Sequence, residues 1–348
     1  MSENLYLMLR KASIKDYREE YIDKIVIQSG LDYRSARALS KIINNESNIT
    51  AEQVHMLLDP AFYSFENMLM AAKLGFYDII PTKYFENEKF ITEAGIDFIP
   101  DHFASGNKFL ENFQVLPQIK YIGDYAFSDC INLTQISFSD ELLSIGQAAF
   151  KNCRHLELFG LPGKVSFLGA CAFKNCVSLK EFSLPASITE LKDSTFKGCS
   201  NLIYFFADSP IRCGAEVFED AKSLVDADAI FIGIGESCFA GCENIRLIYI
   251  SVSTIGKRAF SGCRKLECVN LYKCMPSVFK KDCFIGCSEL STIKYDGFIY
   301  QIREARGYNE FTKNIKITEN EKGVKVTNCN ISASRTVNEV LLSLAVNS

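Results

Sequence analysis

At 348 residues, with 48 % hydrophobic and 23 % charged side chains, the chain has a globular composition and not a disordered one. Its formal net charge of −4 offers no electrostatic footprint for nucleic acid or an anionic membrane. Apolar runs such as "YLML" and "IVI" are too short to cross a bilayer, so no membrane partner is expected.

The N-terminus, "MSENLYLMLRKASIKDY", carries no basic n-region, apolar core and small-residue cleavage site, which makes the cytoplasm the expected compartment. In a reducing compartment the 14 cysteines are read as thiols and not as seven disulfides.

Residues 1–75 read as a helical N-terminal domain. "SIKDYREEYIDKIVIQSG" puts Ile14, Tyr17, Tyr21, Ile25 and Val26 on one face, with Ser13 as N-cap and Gly30 as stop. "LDYRSARALSKIINN" follows, and Thr50 with Gln53 could form a capping box on "AEQVHMLL". Pro60 is placed to start "AFYSFENMLMAAKLG", ending at Gly75. "SGLDYRSARALSKIINN" has some look of a DNA-binding helix-turn-helix, but residues 1–75 hold nine Lys/Arg against ten Asp/Glu, so nothing there attracts phosphate. A helical cap or docking domain is the simpler reading.

Residues 76–119 read as degenerate opening repeats or a cap, because "IIPTKYFENEKFI" and "FIPDHFASGNKFL" share an Ile-Pro start, an aromatic and a Lys-Phe pair. Such atypical terminal repeats close the hydrophobic end of a stack. Regular coils follow over 120–298, tracked by Phe at 127, 150, 173, 196, 218, 239, 260 and 284, at intervals of 21–24 residues. Residues 299–348 read as a C-terminal cap, with short strands and an amphipathic helix at "RTVNEVLLSLAV".

The consensus is I-G-x-x-A-F-x-x-C-x-x-L-x-x-I-x-L. Segments such as "LTQISF" and "LKEFSL" alternate with period two and predict a strand with one face inward, so stacked coils should build a continuous parallel sheet. Gly at 123, 146, 169, 235 and 256 is read as a tight turn after a second short extended piece. Ala126, Ala149 and Ala172, replaced by Cys238 and Cys283 in two coils, let neighbouring backbones approach, and the Phe fills the interior.

Cysteines three residues after that Phe (130, 153, 176, 199, 242, 263 and 287) could suggest a metal or redox ladder. Zinc needs ligands converging on one point, whereas these sulfurs are spread along a line at about 5 Å per coil. Nor do equivalent positions on parallel coils offer disulfide geometry. A row of small buried thiols is expected, with no metal and no cofactor.

This pattern, with Ala-Phe and Cys where leucine-rich repeats usually carry Asn, resembles the BspA-like leucine-rich repeat family over about 80–295, most clearly from 120. The resemblance implies a non-enzymatic binding protein; many family members are cell-surface or secreted. The fold class is therefore α+β: a leucine-rich-repeat solenoid of parallel-sheet coils with an all-helical N-terminal domain.

No nucleophile elbow, P-loop, HExxH or dinucleotide motif is present, and His occurs only at 55, 102 and 155. "GIGESC" at Gly233–Cys238 is the repeat's own turn. The chain is thus read as no enzyme, without a small-molecule substrate.

A partner protein would meet the outward positions of the strands: Gln135/Ser137, Leu158/Gly160, Glu181/Ser183, Tyr204/Phe206, Asp226/Asp228, Leu247/Tyr249, Cys268/Asn270 and Thr292/Lys294. Tyr204, Phe206, Leu247 and Tyr249 put large apolar groups outside, around the acidic pair Asp226 and Asp228, as interaction hot spots do. Two alternatives stay open: a terminal domain covers them, or "NLIYFFADSP" is out of register and Ile203 and Phe205 trade faces with Tyr204 and Phe206. The leading function is an intracellular adaptor or inhibitor that captures a protein on the repeat sheet. Its alternatives are a nucleic-acid-binding regulator acting through the helical domain and an exported adhesin-like surface protein.

Overall fold

The computed structural model describes residues 63–77, 80–251, 255–271, 282–290 and 292–295, the stretches 316–320 and 323–327, and, earlier, Tyr33, Ala36 and Arg37. The helices expected before Tyr63 otherwise lie outside these residues, as does the C-terminal helix.

Three short helices lead into the stack. Helix α1 (Phe65–Lys73) begins at Ser64, whose Oγ accepts from the Asn67 amide, and it ends ahead of Gly75 at φ +82°. Helices α2 (Thr82–Phe85) and α3 (Glu88–Ala94) occupy "TKYFENEKFITEA", expected above as an opening coil. The reason is local: Asn87 Oδ1 caps the Phe90 amide at 3.0 Å, and Gly95 supplies a left-handed C-cap at φ 67°. Phe85 and Phe90 are fully buried, and Phe85 meets Phe103 edge to face at 4.8 Å, so the helices close the apolar end of the coils.

The second opening segment does coil, through β1 (Phe98–Ile99) and β2 (Asn112–Gln114). Then come β3 (Tyr121–Ile122), β4 (Gln135–Ser137), β5 (Ser144–Ile145), β6 (Phe167–Leu168), β7 (Glu181–Leu184) and β8 (Glu190–Leu191). After them run β9 (Tyr204–Ala207), β10 (Ile211–Cys213), β11 (Asp226–Asp228), β12 (Phe231–Ile234) and β13 (Leu247–Ile250). The stack continues in β14 (Cys268–Leu271) and β15 (Thr292–Tyr295), and β16 (Lys316–Asn320) pairs antiparallel with β17 (Gly323–Thr327).

All pairings within the coils are parallel. Most of the described coils carry two extended pieces: a strand of three or four residues after the consensus Leu, and one of two to four residues ahead of the Gly position. The loops between them are also hydrogen-bonded coil to coil: Tyr125, Phe127 and Asp129 amides donate to the carbonyls of Gln147, Ala149 and Lys151 at 2.8, 2.7 and 2.7 Å. Such bonds give buried backbone groups in the loops the partners they need.

The Phe residues form one column. Centroids of Phe127, Phe150 and Phe173 follow at 5.2 and 5.4 Å, with planes within 6°, and the column runs on through Phe196, Phe218, Phe239, Phe260 and Phe284. The glycines serve a different need from the expected turn. At Gly169 a Cβ would stand 2.4 Å from the Gln147 amide nitrogen of the preceding coil, so close stacking and not a positive φ demands glycine. Positive φ falls elsewhere, at Tyr125, Ala148 and Cys171 two residues after the Gly, and at Asp129, Asn152 and Asn175, of which the last three are residue types that tolerate it. There the side chains make their own ladder, Asn152 Nδ2 donating to Asp129 Oδ1 at 2.6 Å and Asn175 Nδ2 to Asn152 Oδ1 at 2.8 Å.

The expected continuous sheet of longer strands is broken twice. Between β4 and β7 the segment "ELFGL" is irregular and joins β7 only through a Gly160–Ser183 bridge. Beyond β11 the sheet β7–β9–β11 stops; β13 lies beside β11, but it pairs with β12 and β14. Only Ala229 and Ile230 separate β11 from β12, which lets Phe231 pair with Ile250 and merges the two strand families.

Candidate protein-binding face

Alternation within β9 puts Phe205 wholly inside and leaves Tyr204 39 % exposed with Phe206 half-buried, so this coil is in the register first expected. Tyr204 and Phe206 lie nearly parallel on the outer face, centroids 6.3 Å apart at 21°. Ladder pairing sets Asp226 beside Tyr204 and Asp228 beside Phe206, and on the other side Glu181 beside Tyr204 and Ser183 beside Phe206. Both aspartates and Glu181 are exposed, while Ala227 and Phe182 between them face the core. In β13, Tyr249 is 47 % exposed and Leu247 half-buried. All six residues picked out from the sequence therefore face outward, but the break after β11 runs through them: four share one sheet, and Leu247 and Tyr249 lie on β13 inside another.

One outward pair is corrected. Leu158 packs partly against the core, and it is Phe159, at the consensus inward position, that stands 63 % exposed. The sequence "LFGLPG" held the signal, since Gly160 and Pro162-Gly163 interrupt the strand. The displaced segment opens a groove of about 350 Å³ lined by Glu157, Leu158, Phe159, Ser178, Lys180 and Glu181, next to the β9 aromatics. Sequence alternation alone did not reveal it.

The thiol ladder has a chemistry of its own. Cys130, Cys153, Cys176 and Cys199 donate from Sγ to the carbonyls of Ala104, Phe127, Phe150 and Phe173 in the preceding coil, at 3.0, 3.0, 3.0 and 3.1 Å. Cys242, Cys263 and Cys287 do the same toward Phe218, Phe239 and Phe260. They are buried free thiols. Burial pushes the Cys199 thiol up to about 12, and its neighbours are raised for the same reason, which makes them poor nucleophiles and poor metal ligands. Among the described residues no group of three or more His, Cys, Asp or Glu side chains could hold a metal ion. His102 is exposed and stacks on Tyr125 with centroids 5.0 Å apart, and His155 is exposed as well, so neither meets a ladder thiol; His55 lies outside the described residues. No helix among the described residues is long and apolar enough to cross a membrane.

Comparison with known proteins finds one family, the "BspA type Leucine rich repeat region", in six copies over residues 97–225 and 222–332. Among solved structures, a leucine-rich repeat protein of T. pallidum is 25 % identical over 38 % of this chain and 72 % of its own, with a TM-score of 0.33. A leucine-rich repeat protein of Bacteroides ovatus is 21 % identical over 57 % of this chain and 58 % of its own, with a TM-score of 0.43. A leucine-rich cell surface protein of Faecalibacterium prausnitzii is 21 % identical over 58 % of this chain and 64 % of its own, with a TM-score of 0.38. The matched part thus spans less than two thirds of the latter two chains. No curated protein matches. With the family matched over most of the chain and its Ala-Phe, Cys and Leu positions stacked in register, the protein belongs to the BspA-type leucine-rich repeat family.

Proposed function

We propose that this protein is a non-enzymatic adaptor or inhibitor of the cytoplasm that captures another protein on the outer face of β7–β9–β11 and β13. The observation that carries the reading is the group Tyr204, Phe206, Leu247 and Tyr249, which stays on the outer face where β4 presents only Gln135 and Ser137. Solenoids bind partners on such extended faces, and large aromatics are the side chains that dominate interface energetics. The buried free thiols fit a reducing compartment.

The test immobilises the full chain and captures partners from extracts of its own source cells. Tyr204→Ala with Tyr249→Ala should abolish capture while the melting temperature stays unchanged. Hot-spot truncations cost about 2 kcal/mol or more each, so the pair should weaken binding by about 10³. Gln135→Ala with Ser137→Ala should do little. Normal capture by the folded tyrosine double variant would remove the sheet face from consideration, and nucleic-acid titration of the full chain would then test the helical segment. Cell fractionation tests the compartment: recovery on the cell surface would favour the adhesin-like alternative.

A further inference from the structure

Building on the reading of this face as protein-binding, we propose that its occupant is an extended, arginine-bearing segment of the partner, laid across the strands. An exposed aromatic face does not choose a partner by itself; the charges set among the rings do. Along one row of the sheet the residues are Glu181, Tyr204 and Asp226, and along the next Ser183, Phe206 and Asp228, each step being one ladder pairing. Tyr204 therefore has a carboxylate on either side, one strand spacing away, about 5 Å. At the outward positions of β7, β9, β11 and β13 the charged side chains, Glu181, Asp226 and Asp228, are all acidic.

Among the described residues Glu181, Asp226 and Asp228 have no ion-pair partner, although other carboxylates on the coils do: Glu216 and Glu219 both hold Lys197, at 2.7 and 2.5 Å. An aromatic ring between two carboxylates without cations suits a guanidinium, which stacks on the ring and donates in plane to both acids. An ammonium fits less well, because it cannot stack and donate in one plane.

The groove beside Phe159 extends the same surface by one coil. Glu157 and Glu181 there outnumber Lys180, so the groove carries a net negative charge next to an exposed ring. From the Phe159 segment to the Tyr204 strand is two strand spacings, roughly 10 Å, which an extended segment covers in about three residues. Arginine at every third position, with uncharged residues between, is the pattern this face would take.

The probe is the peptide Ac-Arg-Ile-Thr-Arg-Ile-Thr-NH2, compared with the same peptide carrying citrulline for arginine, which keeps the shape and removes the charge. Titration calorimetry with the full chain should show the arginine peptide binding at least about tenfold more tightly than the citrulline one. The variant Glu181→Gln/Asp226→Asn/Asp228→Asn should lose that preference and keep its melting temperature, since these side chains are exposed. Raising the salt should weaken the arginine peptide alone.

Equal binding of the two peptides, no binding of either, or an unchanged preference in the carboxamide variant would each overturn the arginine assignment. None of these outcomes touches protein capture as such, which the Tyr204/Tyr249 variant decides separately. Sedimentation showing a dimer that the carboxamide variant dissolves would put a second copy of the chain on this face, and would also overturn the proposal.

Discussion

The Sγ of Cys176 donates to the carbonyl oxygen of Phe150 at 3.0 Å, one coil back, and that same oxygen accepts the Cys153 amide at 3.2 Å. Each rung of the cysteine ladder thus ties the interior of one coil to the turn of the coil before it. Coil five supplies a natural comparison: Ala221 stands in the ladder position, and the Phe196 carbonyl is left with the Cys199 amide at 3.1 Å.

Cys176→Ala should therefore remain folded but cost about 1–3 kcal/mol, combining a lost hydrogen bond with a small cavity. Urea denaturation measures it. A change below about 0.5 kcal/mol would mean that the thiol is a replaceable filler.

The same thiols should set an alkaline limit. Below the ordinary thiol value of 9.0 both the folded and unfolded chains hold neutral thiols, so these groups leave stability unchanged. Above it the unfolded chain gains by ionising, while burial keeps Cys199 neutral up to about 12, so stability falls steadily from pH 9 upward. The melting temperature should drop between pH 8.5 and 10.5, and at pH 8 a thiol reagent should leave the ladder unmodified until denaturant is added. Rapid modification of the ladder in the native protein would contradict this.

Acid should expose a second limit on the opposite side. Hydrogen bonding to Lys197 holds the Glu216 carboxyl below its usual 4.5, with Ser194 adding a further donor at 3.1 Å. A depressed carboxyl stabilises the fold above its unfolded value, and that contribution fades as pH falls through the folded one. Both partners are partly exposed, so the contribution is about 1 kcal/mol or less. Comparing the pH 3–6 melting profile of Glu216→Gln with wild type should show a flatter acid limb in the variant.

Phe173 sits between Phe150 at 5.4 Å and Phe196 at 5.7 Å, fully buried. Phe173→Ala should cost about 3–5 kcal/mol, the range for a large core aromatic truncated to alanine. An unchanged denaturation midpoint would mean that the aromatic column adds nothing to cohesion between coils.

Two glycines separate stacking from turn chemistry. Gly169→Ala forces a Cβ against the Gln147 backbone, 2.4 Å away, and should cost about 1–3 kcal/mol. Gly163→Ala meets nothing within 4 Å and should change stability by less than about 0.5 kcal/mol. Equal effects at both sites would refute the close-approach account.

The sequence by itself determined the coils. Four residue types returning every 21–24 positions name an interior Phe, a buried Cys, a small Ala and a strand Leu, because each coil repeats the same environment and pattern alone reveals it. Alternation also assigned Tyr249 to the outside, since strand periodicity is local, but it left Tyr204 open to a one-residue slip that the burial of Phe205 decides. The helical form of Thr82–Ala94 was less legible, because an Ile-Pro start and spaced aromatics suit a coil or a helix equally, and the caps at Asn87 and Gly95 tip the balance. Only the tertiary structure decided what depends on a neighbouring coil. The distance from Gly169 to Gln147, the carbonyl that Cys176 reaches, the exposure of Phe159 and the loss of pairing between β11 and β13 are relations between residues about twenty positions apart. The repeat fixes that such coils meet, but how closely they meet at each rung is set by packing, which no single period contains.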